Sequence, residues 1–380
     1  MKMKGENVHN LKKYIKNSKQ IWSNCYNSDI DEKLMFLEKN IKNNKYKGII
    51  VYPEAVKWDP VQRPQHLLRE FGKKGFLCLF LENNNTLDIK IEEKYENVYL
   101  INGQDKVISF LKDKNVIFMI TYFLQYIYVE QFSEKIIWFD LLDRLDFFSY
   151  YNWYSKMIWN KLIKNADFVT YSADELKKFI INRKDAILIP NAANIEDFII
   201  ESNYVPKDLE NILKSKKKIL GYYGAVEEWF DFSIIEKLSS TDKYEIVIIG
   251  KCNNKVDLKN VYYLGQKDYK DLKYYSRHFD VALIPFVVNN LTNAVSPVKF
   301  FEYICMNIPV LTTNIREMRK YDSPIIEVVE DNDDLDSKVQ KLLSIDKKIV
   351  KSECQKILDE NTWKNRAEKI LDLIEGGNYE

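Results

Sequence analysis

The chain has five cysteines, at positions 25, 78, 252, 305 and 354. They are odd in number and make no CxxC pair, so neither a thiolate metal site nor a disulfide framework is written into the sequence. Two of them lie in the apolar runs FLCLFLE and FEYICM, where a buried free thiol is the plain expectation. There is no GxSxG nucleophile elbow and no zinc-ligand cluster. The glycine pattern Gly221-Tyr-Tyr-Gly224 is not a GxGxxG fingerprint and says little by itself. No apolar run approaches the roughly 18–20 residues of a membrane span, and the opening MKMKGENVHN has no secretory h-region. Charge of one sign is lacking too: 57 Lys+Arg against 56 Asp+Glu leave a formal +1, which argues against binding nucleic acid by charge. The expectation from these absences is a reduced, soluble, cytoplasmic protein.

What is present is ample material for two cores. The 380 residues are 46% hydrophobic, longer than one core usually organises. From residue 47, short apolar runs alternate with amphipathic stretches, the pattern of βαβ units. KGIIVYP, FLCLFLE, NVYLI, NVIFMITYF, KIIWFDLL and DFVTYSA read as strands, with RPQHLLREFGKKG, NWYSKMIWNKLIK and DELKKFI as helices. A polar stretch near 195–217 reads as a linker. KILGYYG, YEIVIIG, VYYLG, FDVALIPF, IPVLTT and PIIEVV then repeat the strand pattern. Near-continuous apolar strands argue for parallel sheets covered on both faces. The expected architecture is α/β: two Rossmann-like domains, 47–200 and 201–360, facing a cleft. A C-terminal helix at 361–380 is expected to pack back on the first domain.

Residues 1–46 stand apart as an N-terminal helical extension. Leu11, Tyr14, Ile15, Ile21 and Trp22 fall near one helical face, with Lys12, Lys13, Lys16 and Lys19 towards the rest. Two readings stay open: a basic helix touching the inner face of an anionic membrane, or a helix packed on its own domain with solvated lysines.

In an α/β sheet, ligands sit beyond the carboxyl ends of the strands, so the segments there matter most. VSPVKFFEYICM puts two charges into an almost wholly apolar helix. Ser296-Pro297 is a start signal, with serine as N-cap and proline in the first turn. Lys299, Glu302, Tyr303 and Met306 share one stripe at 100° per residue. A cation in a first turn is unfavourable by roughly 0.3–1 kcal/mol, whereas an anion at the helix end reverses that balance. One reading is therefore a diphosphate held by Lys299, with Glu302 accepting from ribose hydroxyls. The other is a solvated lysine beside an incidental glutamate.

In the first domain, FDLLDR places Asp140 and Asp143 at a strand end, as a catalytic base or as turn and helix caps. Arg63 and His66 open the helix at RPQHL, where Arg63 offers a fork to an acceptor or an anion and His66 is either a site residue or structural. The acid-x-acid spacing in VVEDNDDLDSKVQ is explained by caps and first-turn anions rather than by metal.

The motifs together resemble bacterial glycosyltransferases of the GT-B fold, of the family four type, nearest to those making teichuronic acid and exopolysaccharides. The likeness runs from about 47 to 375. NLTNAVSPVKFFEYICMNIPVLTT resembles the donor-site segment, and VQRPQHLLREFGKKG the first loop and helix. IIWFDLLDRLDFF resembles a mid-domain carboxylate motif that falls on Asp143. GYYGAVEEWFDFSII resembles the opening of the second domain, and NVYYLGQKDYKDLKYYSRHFDVALIPF the approach to the donor loop. The resemblance implies transfer of a sugar from a nucleoside diphosphate donor, UDP before GDP, to a glycan or lipid-linked acceptor. It puts Lys299 near the donor phosphates, with Ser296, Pro297 and Gly224 beside them, and Glu302 near the ribose. No metal or cofactor is expected, since the helix end and Lys299 would take the leaving group's charge. The sequence departs from the pattern in two places. Many relatives carry a glutamate eight positions before Glu302, where this chain has Ala294, leaving Asn290, Thr292 or Asn293 to cover the sugar. The Arg and Lys that often follow the first strand of the second domain are missing, so Lys299 carries more of the phosphate charge. The lost glutamate keeps a non-catalytic nucleotide- or glycan-binding relative in view, and an epimerase or hydrolase is the enzymatic alternative.

Overall fold

The computed structural model describes residues 32–43, 46–82, 89–144, 146 and 152–376. The described residues form two compact α/β units. The first takes the chain up to Ser172, then Leu176–Ile189 and the end from Leu371; the second takes Ala173–Glu175 and Pro190–Ile370. The basic stretch at 11–22 lies outside the described residues. From the N-terminal extension, the helix Glu32–Asn43 is described and buries Leu34 and Leu37.

The first unit is built on eight strands: β1 (Ile49–Tyr52), β2 (Leu77–Glu82), β3 (Ile91–Tyr95), β4 (Val98–Asn102), β5 (Val116–Ile120), β6 (Lys135–Leu141), β7 (Phe168–Tyr171) and β8 (Ile187–Leu188). Their order is β3-β4-β2-β1-β5-β6-β7-β8, and every neighbouring pair is parallel except β3 with β4. β1, β2 and β5 are buried at every position, which is why they read as unbroken apolar runs. β3, IEEKY, is a charged edge strand with no buried position. Such edges are kept polar because they expose unpaired backbone groups, and that polarity hid it from a search for apolar runs.

The second unit carries β9 (Lys218–Tyr223), β10 (Tyr244–Ile249), β11 (Val261–Gly265), β12 (Val281–Ile284), β13 (Val310–Thr313) and β14 (Ile326–Val329). The sheet is parallel throughout, in the order β11-β10-β9-β12-β13-β14. This is the doubly wound order in which the winding reverses between the first strand and the fourth. Gly221 on β9 is required by packing, since a Cβ there would run into the Phe279 ring.

The units divide at Ile189–Pro190, ahead of the expected boundary at 200. The reason lies in hydrogen bonds within the second unit. Asn191 donates its side-chain amide to the Ser296 carbonyl at 2.7 Å, and Arg366 donates to the Pro190 carbonyl at 2.9 Å. The stretch expected as a linker is likewise part of the second unit. It contains the helix Lys207–Leu213, whose Leu209 and Ile212 are buried in that core. The last helix, Trp363–Gly376, buries Trp363, Arg366, Ala367 and Ile370; these four lie in the second unit, and the helix passes to the first only from Leu371.

Candidate functional site

The switch point of the six-stranded sheet lies between β9 and β12, and the residues leaving those strands meet there. Lys299, in the helix Val298–Cys305, places its ammonium 5.2 Å from the centre of the Tyr222 ring on β9. It stands 4.8 Å from the centre of the Phe286 ring just past β12. Both are cation–π distances. Among the described residues the ammonium has no ion pair, and burial pushes its pKa down to about 8 although Glu302 pulls it up. The residue as a whole keeps some exposure.

Gly224 packs against the Lys299 side chain. Its φ is +139°, and a Cβ there would lie 2.9 Å from Lys299 Cε and 3.0 Å from the Tyr222 hydroxyl. Glycine is needed both for the backbone angle and for the approach of the lysine. Two turn-forming groups differ from the sequence expectation. The helix starts at Val298 with Pro297 as its cap, and Ser296 makes no cap hydrogen bond. The Ser296 hydroxyl instead accepts from the Asn191 amide at 3.2 Å. With no cap, the amide N–H groups of Val298 and Lys299 have no acceptor among the described residues. They are the kind of donors that a helix end offers an anion.

Glu302, one turn on, is 5% exposed. Burial pushes its carboxyl up to about 7, against the pull of Tyr223, the Lys299 charge and Tyr269, with Asp197 pushing the same way as burial. The Tyr223 hydroxyl is buried and has no hydrogen bond of ordinary geometry, though it is close enough to act on Glu302's ionisation. Tyr222, Tyr223, Tyr269 and Phe286 were missed as site residues. The available signal was GYYG at a strand end, which was weighed for its glycines alone.

The donor-loop residues do not join this site. Thr292 is buried, and its hydroxyl donates to the Val287 carbonyl at 2.6 Å, so it braces the loop and offers nothing to a sugar. Asn293 accepts from the Arg316 amide at 2.8 Å. With Asn290, Arg316, Arg319, Lys320, Asp174 and Glu175 it lines a separate polar cavity of about 450 Å³.

In the first unit, Arg63 and Asp140 find each other. Arg63 donates Nε to Asp140 Oδ2 at 2.7 Å and Nη2 to Oδ1 at 2.9 Å. Thr170 adds a third hydrogen bond to Asp140 at 2.6 Å. Arg63 is 3% exposed and Asp140 0%. This corrects two expectations: Asp140 is not placed to take a proton from an acceptor, and the Arg63 fork is already filled by a carboxylate. His66 is 2% exposed, which corrects its assignment as a ligand-facing residue and leaves the structural one.

Asp143 is placed differently. It lines a recess of about 330 Å³ at the switch point between β1 and β5, with Tyr52, Thr121, Tyr122, Phe123 and Trp159 among its walls. The side chain is exposed, yet surrounding protein raises its pKa by desolvation; it stands in a concave wall open to solvent. Tyr52 and Thr121 share a hydrogen bond of 2.9 Å on the same wall. Asp334, in the acid-rich stretch, accepts from the amides of Asp336 and Ser337 and caps the following helix, as the cap reading required.

Comparison with known proteins supports the resemblance. Residues 233–372 match a family model described as glycosyl transferase-like. TuaH of Bacillus subtilis, described as a teichuronic acid biosynthesis glycosyltransferase, is 26% identical over 184 residues, 44% of this chain and 46% of that protein. The match thus spans under half the length of that relative. Sucrose-phosphate synthase from Thermosynechococcus elongatus covers 87% of this chain and 99% of its own at a TM-score of 0.65 and 13% identity. Anabaena HepE, solved in complex with UDP and glucose, covers 87% of this chain and 99% of its own at a TM-score of 0.62 and 11% identity. The chain has the two-unit α/β fold of GT-B glycosyltransferases.

Proposed function

We propose that this protein transfers a sugar from a nucleoside diphosphate donor, UDP in preference to GDP, to a glycan or lipid-linked acceptor of the cell surface. The observation that carries the reading is the Lys299 ammonium. It is desolvated, lacks an ion pair among the described residues, and sits beside two unfilled helix amides at a sheet's switch point. A pyrophosphate supplies the missing counter-charge. Glu302 then accepts from the ribose, and Gly224 lets the backbone approach the phosphates. The glycosyltransferase-like family match over the same unit supports this assignment, as does a fold shared with proteins solved with UDP.

During transfer, negative charge builds on the leaving diphosphate. The Lys299 ammonium and the helix amides are fixed donors aimed at that charge, so the reaction needs no metal. Asp143, with its raised pKa, takes the acceptor hydroxyl's proton if configuration inverts and orients that hydroxyl if it is retained. The protein works in the cytoplasm.

A second reading, nucleotide binding without transfer, is favoured by Ala294 in place of the relatives' glutamate. Thermal shift with UDP, GDP and their sugars, with and without EDTA, followed by assays for transfer and for free sugar, separates the readings. Stabilisation by UDP that survives EDTA, together with transfer, supports the proposal. Stabilisation without turnover leaves a binding protein, free sugar in water indicates a hydrolase, and no nucleotide response removes the assignment.

A further inference from the structure

The polar cavity of about 450 Å³ is built by the second unit alone, and neither Lys299 nor Glu302 lines it. Its position follows from the sheet. β12 ends at Ile284 and its neighbour β13 at Thr313. The loops leaving those two carboxyl ends bring Asn290 and Asn293 against Arg316, Arg319 and Lys320. One hydrogen bond ties the loops together, from the Arg316 amide to Asn293 Oδ1 at 2.8 Å. That bond orients the Asn293 side chain, whose Nδ2 has no acceptor among the described residues.

Two of the three cations are committed. Arg316 pairs with Glu175 at 2.9 Å, and Lys320 with Asp174 at 3.0 Å and Glu317 at 2.7 Å. Arg319 pairs with no carboxylate among the described residues. Its Nε donates to Asn314 Oδ1 at 2.6 Å and its Nη2 to the Asn314 carbonyl at 2.9 Å. A guanidinium carries five N–H donors in one rigid plane. Asn314 therefore fixes one edge and leaves the other, Nη1 with the second hydrogen of Nη2, as a preorganised fork. Such a fork meets a carboxylate or a phosphate through two parallel hydrogen bonds. One uncommitted cation calls for a monoanion, which favours the carboxylate. Asp174 and Glu175 offer acceptors to hydroxyl groups beside it, and the volume falls within the roughly 300–1,000 Å³ of small-molecule pockets.

We propose that this cavity binds the carboxylate of an acidic sugar, with Arg319 as the anion fork and Asn293 as a second donor. The acid belongs either to the sugar of the nucleotide donor or to a separate saccharide, and the recognising chemistry is the same. The proposal stands without the nucleotide reading, since it uses neither Lys299 nor Glu302.

The test is calorimetric titration of the full chain with glucuronate, glucose, inorganic phosphate, UDP, UDP-glucose and UDP-glucuronate. Glucuronate has a carboxylate where glucose has a hydroxymethyl group, so a preference for the acid, free or on UDP, reads the fork directly. That preference is expected to be about tenfold or more. Arg319→Met should abolish it and Arg319→Lys should keep part of it. Asn293→Asp retains an acceptor for the Arg316 amide and should weaken binding of the acid but not of the neutral sugar. All three variants should keep the wild-type melting temperature and UDP affinity. A preference seen only between the two UDP-sugars supports the site with the acid on the donor. One seen with free glucuronate, and unchanged by saturating UDP-glucose, supports it with the acid on a separate saccharide. The proposal is overturned by no preference in either comparison, by a preference that survives both Arg319→Met and Asn293→Asp, or by phosphate binding as tightly as glucuronate. Glucuronate binding by a chain that ignores UDP supports this site and removes the nucleotide reading alone.

Discussion

The Lys299 ammonium stands 4.8 Å from the centre of the Phe286 ring and pairs with no carboxylate among the described residues. Two aromatic faces are a modest substitute for water, as its pKa near 8 records. A group whose pKa falls on folding is a cost to the free protein. Between about pH 8 and 10.5 the unfolded chain binds more protons, so stability rises with pH across that window. At about 1.4 kcal/mol per unit the charge costs at most about 3 kcal/mol at neutral pH, less because the residue keeps some exposure. Lys299→Met should therefore raise the melting temperature at pH 7 while removing stabilisation by UDP, and the gap to wild type should narrow above pH 10.5. A drop in melting temperature would identify a structural cation instead.

The same two groups set a pH window for nucleotide binding. The ammonium must be protonated to meet a pyrophosphate, so affinity falls as pH rises through about 8. Glu302 must be ionised to accept from ribose, so affinity also falls below about 7. Calorimetric titration with UDP should give a maximum between those values. Glu302→Gln should flatten the acid limb and leave the alkaline limb in place. An acid limb unchanged in that variant would assign it to the nucleotide's own phosphate.

How much of this was legible beforehand depends on the kind of residue. Buried parallel strands announce themselves because both faces are covered, so β1, β2, β10 and β12 stand out as apolar runs. Lys299 and Glu302 were visible because a charge in an apolar helix has to be explained. The aromatic cage was not, because Tyr222 and Phe286 look like ordinary core residues until the fold brings two strand ends together. Arg63 and Asp140 misled for the opposite reason. Seventy-seven positions apart, each looks available to a ligand, and no local pattern says that they satisfy one another.

That pair makes a prediction of its own. Removing one member of a buried ion pair leaves an uncompensated charge and typically costs about 3–5 kcal/mol. Arg63→Met and Asp140→Leu should each lower stability by that order in chemical denaturation, and the double variant should recover much of the loss. The Trp138 indole donates to Thr170 at 2.8 Å and Thr170 to Asp140, so fluorescence of the native state should change in both single variants. If Arg63→Met folds with unaltered stability and loses only its use of an acceptor, the arginine contacts ligand after all.

Asp143 is the carboxylate that remains open. The Arg63 fork holds Asp140, while Asp143 faces a recess whose wall includes the half-buried Tyr122 ring, a surface suited to stacking on a sugar ring. Its raised pKa makes it a better proton acceptor once ionised and confines that state to pH values above its raised midpoint. Asp143→Asn keeps the shape and removes the base. Acceptor-dependent turnover should fall by about 100-fold or more, while UDP stabilisation through Lys299 stays as in wild type. The wild-type rate should fall as pH drops towards the ordinary carboxylate range, and that acid limb should vanish from the residual rate of the variant. Loss of UDP binding together with turnover would mean that the substitution acts on the donor or on folding, and the acceptor role would fall.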